Sequence, residues 1–382
     1  MKRRDFLKAS GLLLAPPALG GGAVLTPFPA ISAAGNRPGA NWARLSDLVW
    51  TLPAAVSDSC LPLMNGEWYG MPHIRAVGIG KGGCLGAKRV FDERYGVMGG
   101  EKYATVDIYC ADEDPGFLRT LAVPEDRKLL LTDTDTVGDV QSAPDYYRPI
   151  VFLFASHPCP ASMRQATPIA SLFKRCRPEP LLIAAVVAES DNPYAAMAHN
   201  PVSLALADDV DTVISIGRAT GCNDRAVYDV MTDGYFEAIR AAMDALIYPG
   251  LLAVDLCDTR QVLKTGKHAE FTTGTGHGRH RAEEAIQQAL RCGPAFDAAY
   301  RNARGALLTV QSGLDMRTSE LELVYERVRD HLSHQRHRDY CLVAGAVLNP
   351  TMPAGTLTTS LLVTNETLGR HARGADTPRT HR

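Results

Sequence analysis

Ile74-Arg75-Ala76-Val77-Gly78-Ile79-Gly80-Lys81-Gly82-Gly83 is the stretch on which the reading of this chain turns. Ile74 to Val77 is a short strand-type run, and it enters a segment in which Gly78, Gly80, Gly82 and Gly83 nearly alternate with other residues. Glycine supplies the tight turn that a strand needs to enter a helix directly. Cys84 to Arg94 can form that helix. Backbone N–H groups gathered at a glycine turn and a helix start suit an anion. Working outward, further strands read Thr105 to Cys110, Ile150 to Phe154, Leu181 to Val187 and Asp211 to Ile216. Continuous apolar strands separated by helix-length segments predict a parallel sheet covered on both faces.

A long helix follows from Thr232 to Ile247, with Phe236, Ile239, Met243 and Leu246 at helical spacing. Pro249-Gly250 stops it. The pattern then changes. Helix Thr259 to Leu263 leads to strand Ala269 to Thr273, and helix Arg281 to Cys292 leads to strand Ala306 to Val310. Helix Ser319 to Leu332 leads to strands Tyr340 to Leu348 and Leu357 to Val363. The expected plan is a two-domain α/β fold. It has a linker over 35–72 in which Trp42, Leu48 and Trp50 dock on the body, and a nucleotide-binding-type domain over 73–231. A central helix over 232–248, a smaller α/β domain over 249–364 and a polar tail over 365–382 complete it.

The 382 residues can bury a sizeable core. A net charge of -2 leaves no electrostatic footprint for nucleic acid. The nine cysteines include no Cys-x-x-Cys pair, which argues against a zinc ribbon or a thioredoxin-type site. His331, His334 and His337 fall on one helix face, but they read as a solvated basic helix end rather than metal ligands. The pairs His277/His280 and His157/Cys159 are read the same way, so no metal site is assigned.

The first residues stand apart. Lys2-Arg3-Arg4-Asp5-Phe6-Leu7-Lys8 resembles the twin-arginine export motif, and a weakly apolar stretch follows to Ala34. A charged start, an apolar middle and small residues at Ser32 and Ala34 mark 1–34 as a targeting segment. The expected location is periplasmic or exported. Left uncleaved, the segment is instead a membrane anchor on the cytoplasmic side, although Pro16, Pro17, Pro27 and Pro29 make it a poor helix.

The second half resembles the FtsZ/tubulin family. Pro249-Gly250-Leu251-Leu252-Ala253-Val254-Asp255-Leu256-Cys257-Asp258 is similar to the family's loop after its central helix. Phe271-Thr272-Thr273-Gly274-Thr275-Gly276, followed by Arg281-Ala282-Glu283-Glu284-Ala285, resembles its Met-Gly-x-Gly segment and helix. Arg304 to Val310, Ser312 to Met316 and Val210 to Ile216 resemble further strands and turns of the family. The resemblance implies that Gly78, Gly80, Gly82 and Gly83 approach nucleotide phosphates and that Asp233 reads the base. It also implies that Asp255 and Asp258 reach the nucleotide of the next subunit as catalytic acids. On the residues themselves, Asp258 equally suits an N-cap for a helix starting at Thr259.

The family's second glycine-rich phosphate loop is missing. Its place holds Ser156-His157-Pro158-Cys159-Pro160-Ala161-Ser162-Met163-Arg164, where prolines remove backbone donors. No arginine lies between Asp191 and His199 for the ribose side. The resemblance therefore implies a self-assembling scaffold that associates head to tail, with GTP held weakly or lost and magnesium as its companion ion. A working GTPase is the alternative. A second alternative is an exported dinucleotide-dependent oxidoreductase using Gly78, Gly80 and Gly83, with Asp107 or Asp112 as the acidic partner. Replacing Arg3 and Arg4 by Lys is expected to trap the chain in the cytoplasm. A reporter fusion whose location does not change in that double variant refutes export.

Overall fold

A computed structural model describes residues 42–43, 45–48, 61–62, 68–69, 72–131, 149–156, 159–176, 179–188, 201–217, 224–291, 300, 302–333 and 340–365. Residues 1–41, Trp50, His157, residues 191–199, His334, His337 and the residues beyond Asn365 lie outside them.

The apolar runs form strands and the segments between them form helices. In chain order the main elements are α1 (Leu45–Leu48), β1 (His73–Ile79), α2 (Gly80–Asp92), β2 (Thr105–Asp112), α3 (Pro115–Thr120) and β3 (Lys128–Leu130). Next come β4 (Ile150–Ser156), α4 (Pro160–Lys174), β5 (Leu181–Ala188), α5 (Pro201–Asp209), β6 (Thr212–Gly217) and the long α6 (Asp224–Ile247). The remainder is β7 (Gly250–Leu252), α7 (Leu256–Lys264), β8 (His268–His277), α8 (Arg281–Leu290), β9 (Ala303–Ser312), α9 (Thr318–Ser333), β10 (Cys341–Leu348) and β11 (Thr356–Asn365).

These eleven strands make one sheet, in the order β7-β10-β9-β11-β8-β6-β5-β4-β1-β2-β3. From β6 to β3 every pairing is parallel. β11 runs antiparallel between β8 and β9, and β10 runs parallel to β9. The fold is thus mixed α/β with a large, mostly parallel sheet, as the apolar runs predict. Every residue of β4 and β5 is buried, which is why those strands carry no alternation. α2 and α6 lie over one face of this half, α4 and α5 over the other. α8 and α9 cover a third apolar cluster on β9, β10 and β11.

Observed boundaries run longer than the sequence suggests. α6 begins at Asp224 rather than Thr232, and α7 begins at Leu256 rather than Thr259. β7, three residues long, had no sequence signal, because it forms only by pairing with β10 across a register irregularity.

Of the segment ahead of β1, residues 42–43 and 45–48 lie against the body. Leu48 is fully buried, and its carbonyl accepts from the buried Arg75 guanidinium. Ala43 bridges to Leu129 and thereby covers the outer edge of β3.

The central helix is tied to both parts of the sheet by polar contacts. Asp244 accepts from Tyr95 at 2.8 Å and from Arg240 at 3.2 Å, and Arg240 also reaches Gln311 of β9 at 2.9 Å. Burial pushes the Asp244 carboxyl up to about 6.

α2 sits so close to the sheet that a Cβ on Gly83 would lie 2.1 Å from the Phe154 carbonyl oxygen. A Cβ on Gly82 would meet the terminal methyl of Met231 at 2.7 Å, which a flexible side chain can move away from. Gly83→Ala is therefore expected to cost about 3 kcal/mol of stability, and Gly82→Ala about 1 kcal/mol or less. Urea denaturation of both variants checks this; equal losses refute the packing account.

Candidate functional site

In open parallel sheets, ligands collect outside the carboxyl ends of the strands. Here that edge carries the end of β1, the start of α2, the end of β4 and the start of α4. β1 passes into α2 with no intervening loop. Gly80 makes the turn with φ +73, a left-handed conformation that suits glycine. α2 has no side-chain cap, since its N-cap is Ile79. Among the described residues, no side chain caps its first-turn N–H groups.

The end of β4 is built differently from a phosphate loop. Cys159 N–H turns back to the Ser156 carbonyl at 3.1 Å, and Pro160 occupies the first turn of α4. Ser162 is buried. Its hydroxyl accepts from Ser156 N–H at 3.2 Å and donates to the Ile79 carbonyl. It therefore stitches the carboxyl ends of β1 and β4 together. A Cβ added at Gly80 would lie 2.8 Å from Ser162 Cβ and 3.5 Å from Cys159 Sγ. Side chains of α4 and the turn before it thus crowd the space above the glycine turn. Sequence reading singled out the prolines but missed Ser162, whose role depends on a contact across 83 positions.

Lys81 points to the neighbouring turn. Its Nζ lies 3.5 Å from Asp114 and 5.6 Å from the Phe117 ring centroid. Asp114 caps α3 by accepting from Gly116 N–H and Phe117 N–H. Asp112 accepts from Asp114 N–H at 2.7 Å, and burial raises its carboxyl above the usual range.

The dinucleotide reading gains no support. Asp107 sits in the first half of β2, where it accepts from His73 at 2.8 Å beside Arg127 and Arg75. Burial opposes ionisation there, yet the His73 hydrogen bond and these cationic groups hold its carboxyl well below the usual carboxylate range.

Asp233 lies exposed on α6, with Arg89 of α2 at 3.6 Å. A carboxylate so placed already faces a guanidinium. Asp255 and Asp258 lie at the opposite end of the sheet from the glycine turn. They flank the start of α7, whose Arg260 reaches the Glu179 carbonyl ahead of β5 at 3.1 Å. One chain therefore does not bring the glycines and these acids together. The cap is Asp255, which accepts from Asp258 N–H at 2.7 Å. The expectation that Asp258 caps a helix at Thr259 is corrected: α7 starts three residues earlier, and Asp258 is an exposed first-turn acid. Burial raises the nearby Cys341 thiol, and the Asp258 charge raises it further.

Among the described residues, no three His, Cys, Asp or Glu side chains gather as a metal group. His331 packs edge-on against Tyr300, and His277 Nδ1 lies 3.3 Å from the Thr356 hydroxyl.

Comparison with known proteins agrees with this plan. The FtsZ family C-terminal domain matches residues 267–365. The cell division protein FtsZ of Coxiella burnetii is 33% identical over 137 residues, covering 36% of this chain and 34% of the relative. FtsZ of Magnetospirillum gryphiswaldense is 26% identical over 134 residues, covering 35% of this chain and 24% of the relative. The matched part thus spans about a third or less of the length of these curated relatives. Among solved structures, an empty FtsZ dimer from M. jannaschii is similar with TM-score 0.61 and 20% identity, covering 78% of this chain and 88% of that one. A GTPγS-bound CetZ2 protofilament from Haloferax volcanii is similar with TM-score 0.55 and 16% identity, covering 79% and 96%. The chain has the FtsZ/tubulin-like fold. Within it, residues 267–365 carry the sequence pattern of the FtsZ C-terminal domain.

The cap geometry separates the two acids. Asp255→Ala is expected to cost about 1 kcal/mol, and Asp258→Ala about half that or less. Denaturation midpoints measure both; an equal loss refutes the cap assignment.

Proposed function

We propose that this chain is an FtsZ/tubulin-like scaffold that assembles head to tail and whose nucleotide site is degenerate. The observation that carries this reading is Ser162. Its hydroxyl joins β1 to β4 above the glycine turn, beside a first helical turn opened by Pro160. Phosphate oxygens are held by a wrap of backbone N–H groups. Here one of the two contributing loops is replaced by a packed, proline-bearing helix start. The other, Gly80 to Gly83, keeps its uncapped helix N-terminus and offers residual attraction for an anion.

Head-to-tail stacking supplies a reason for the separation of the two residue sets. A stack along the strand direction sets Asp255 and Asp258 of one copy against the glycine turn of the next. The FtsZ dimer and the CetZ2 protofilament are similar folds in assembled form, which supports self-association. In this reading the twin-arginine segment exports the folded chain, and GTP with magnesium is bound weakly or not at all.

A working GTPase is the second reading, and the uncapped α2 turn is the observation in its favour. It would place Asp255 and Asp258 at the attacking water and Asp233 at the base. Titration calorimetry with GTP and magnesium separates the two. The proposal expects a Kd well above ~1 µM, with light scattering that rises with protein concentration whether or not GTP is present. Binding tighter than ~1 µM, or assembly that needs GTP, overturns the scaffold reading in favour of the GTPase.

A further inference from the structure

The eleven-stranded sheet is joined across its middle by a short ladder. β6 and β8 pair only through Val213 with His268 and Ile214 with Ala269. By comparison, β8 and β11 pair along ten residues, from His268 to His277. The joint is thus the narrowest backbone connection in this part of the sheet.

Side chains around the joint are polar and buried. On β8, His268, Glu270 and Thr272 share one face, because strand side chains alternate. His268 is fully buried. Its Nδ1 lies 3.3 Å from the Asn365 amide nitrogen, and its Nε2 bonds to the Ser215 hydroxyl of β6. Both ring nitrogens are thereby engaged, one by the Asn365 amide and one by the Ser215 hydroxyl. Burial pushes the ring down to about 3, so it is neutral. His268 therefore closes the joint as a neutral bridge.

Glu270 is the next residue on that face, just beyond the last paired residue. It is 5% exposed, and among the described residues its Oε1 has no hydrogen-bond partner. Among the described residues, the groups facing it carry no compensating charge. From β8 these are His268 and Thr272; from β11, Val363 lies opposite, with Asn365 diagonal to it. On β6, Ser215 follows the last paired residue and is bonded to His268. α8 runs back over β8, with Arg281 against Gly276 and Ala289 against Gly274. The cation on its buried face, Arg281, is at the far end, held by Glu320 and Asp315.

We infer that Glu270 is a proton-operated latch on this joint. Protonated, it stays buried and the joint is shut; ionised, it draws water in, and β6 and β8 part. A neutral carboxyl can be buried at modest cost, whereas an unpaired carboxylate cannot. Burial pushes Glu270 up to about 7, above its ordinary value of 4.5. The sign follows from the direction of that shift. A group whose pKa is raised in the closed state stabilises closure fully below about 4.5 and loses that contribution as pH rises through about 7. The latch does not depend on nucleotide or on assembly, so it stands or falls separately from the proposed function.

Hydrogen exchange of the full chain, read by mass spectrometry and corrected for base-catalysed intrinsic exchange, tests it. Between pH 5.5 and 8.5, protection at the joint segments 212–217 and 268–271 should fall roughly thirtyfold, the ratio set by closed and open values of about 7 and 4.5. Protection in β4 should hold. In Glu270→Gln, which keeps the shape but cannot ionise, the joint should show no such fall. Glu270→Leu serves if the amide variant does not fold. A flat wild-type profile, a fall shared equally by β4, or an undiminished fall in the variant would overturn the latch.

Discussion

Close contact between α2 and the sheet is the constraint on which this structure rests. Gly83 has the Phe154 carbonyl where a side chain would be, and Gly78 has the Gly83 carbonyl in the same position. About one helix turn further on, Gly86 gives its space to the Tyr235 ring. Tyr235 stacks on Phe154 at 4.9 Å and donates to the Ala155 carbonyl, so α6 is seated through the gap that α2 leaves. From α6, Arg240 and Asp244 then reach β9 and Tyr95. The glycines thus serve packing first, and the uncapped turn they create comes with that packing.

This double use explains how much of the site was legible. The apolar strands declared themselves because parallel strands buried on both faces read as nearly continuous apolar runs, and the helical spacing of Phe236, Ile239, Met243 and Leu246 marked α6. Elements that owe their existence to a partner strand did not show. β7 forms only against β10, and the first turns of α6 and α7 precede the periodic stretch. The cap at Asp255 had a signal in its spacing from Asp258, since a side chain accepts from the N–H three residues on. The apolar run that follows drew the boundary too late.

Ser162 and Glu270 were not read from sequence for different reasons. Nothing local distinguishes a serine that will bridge two strand ends. A glutamate on the buried face of a strand, between His268 and Thr272, is an anomaly once that face is known, because burial without a partner is rare. What sequence could not supply was that, among the described residues, no cation on the facing elements offsets it. Asp233 shows the reverse case: its type suits base reading, and only the fold reveals Arg89 beside it.

The docking of residues 42–48 has a consequence for whatever is joined ahead of them. Ala43 and Leu48 hold to β3, β1 and the Arg75 guanidinium, on the lateral border of the sheet and away from both ends of its strands. If copies of the chain stack along the strand direction, as proposed, this border would be a flank, and a tether, anchor or cargo attached there would project sideways like rungs on a mast, leaving both ends of the stack clear.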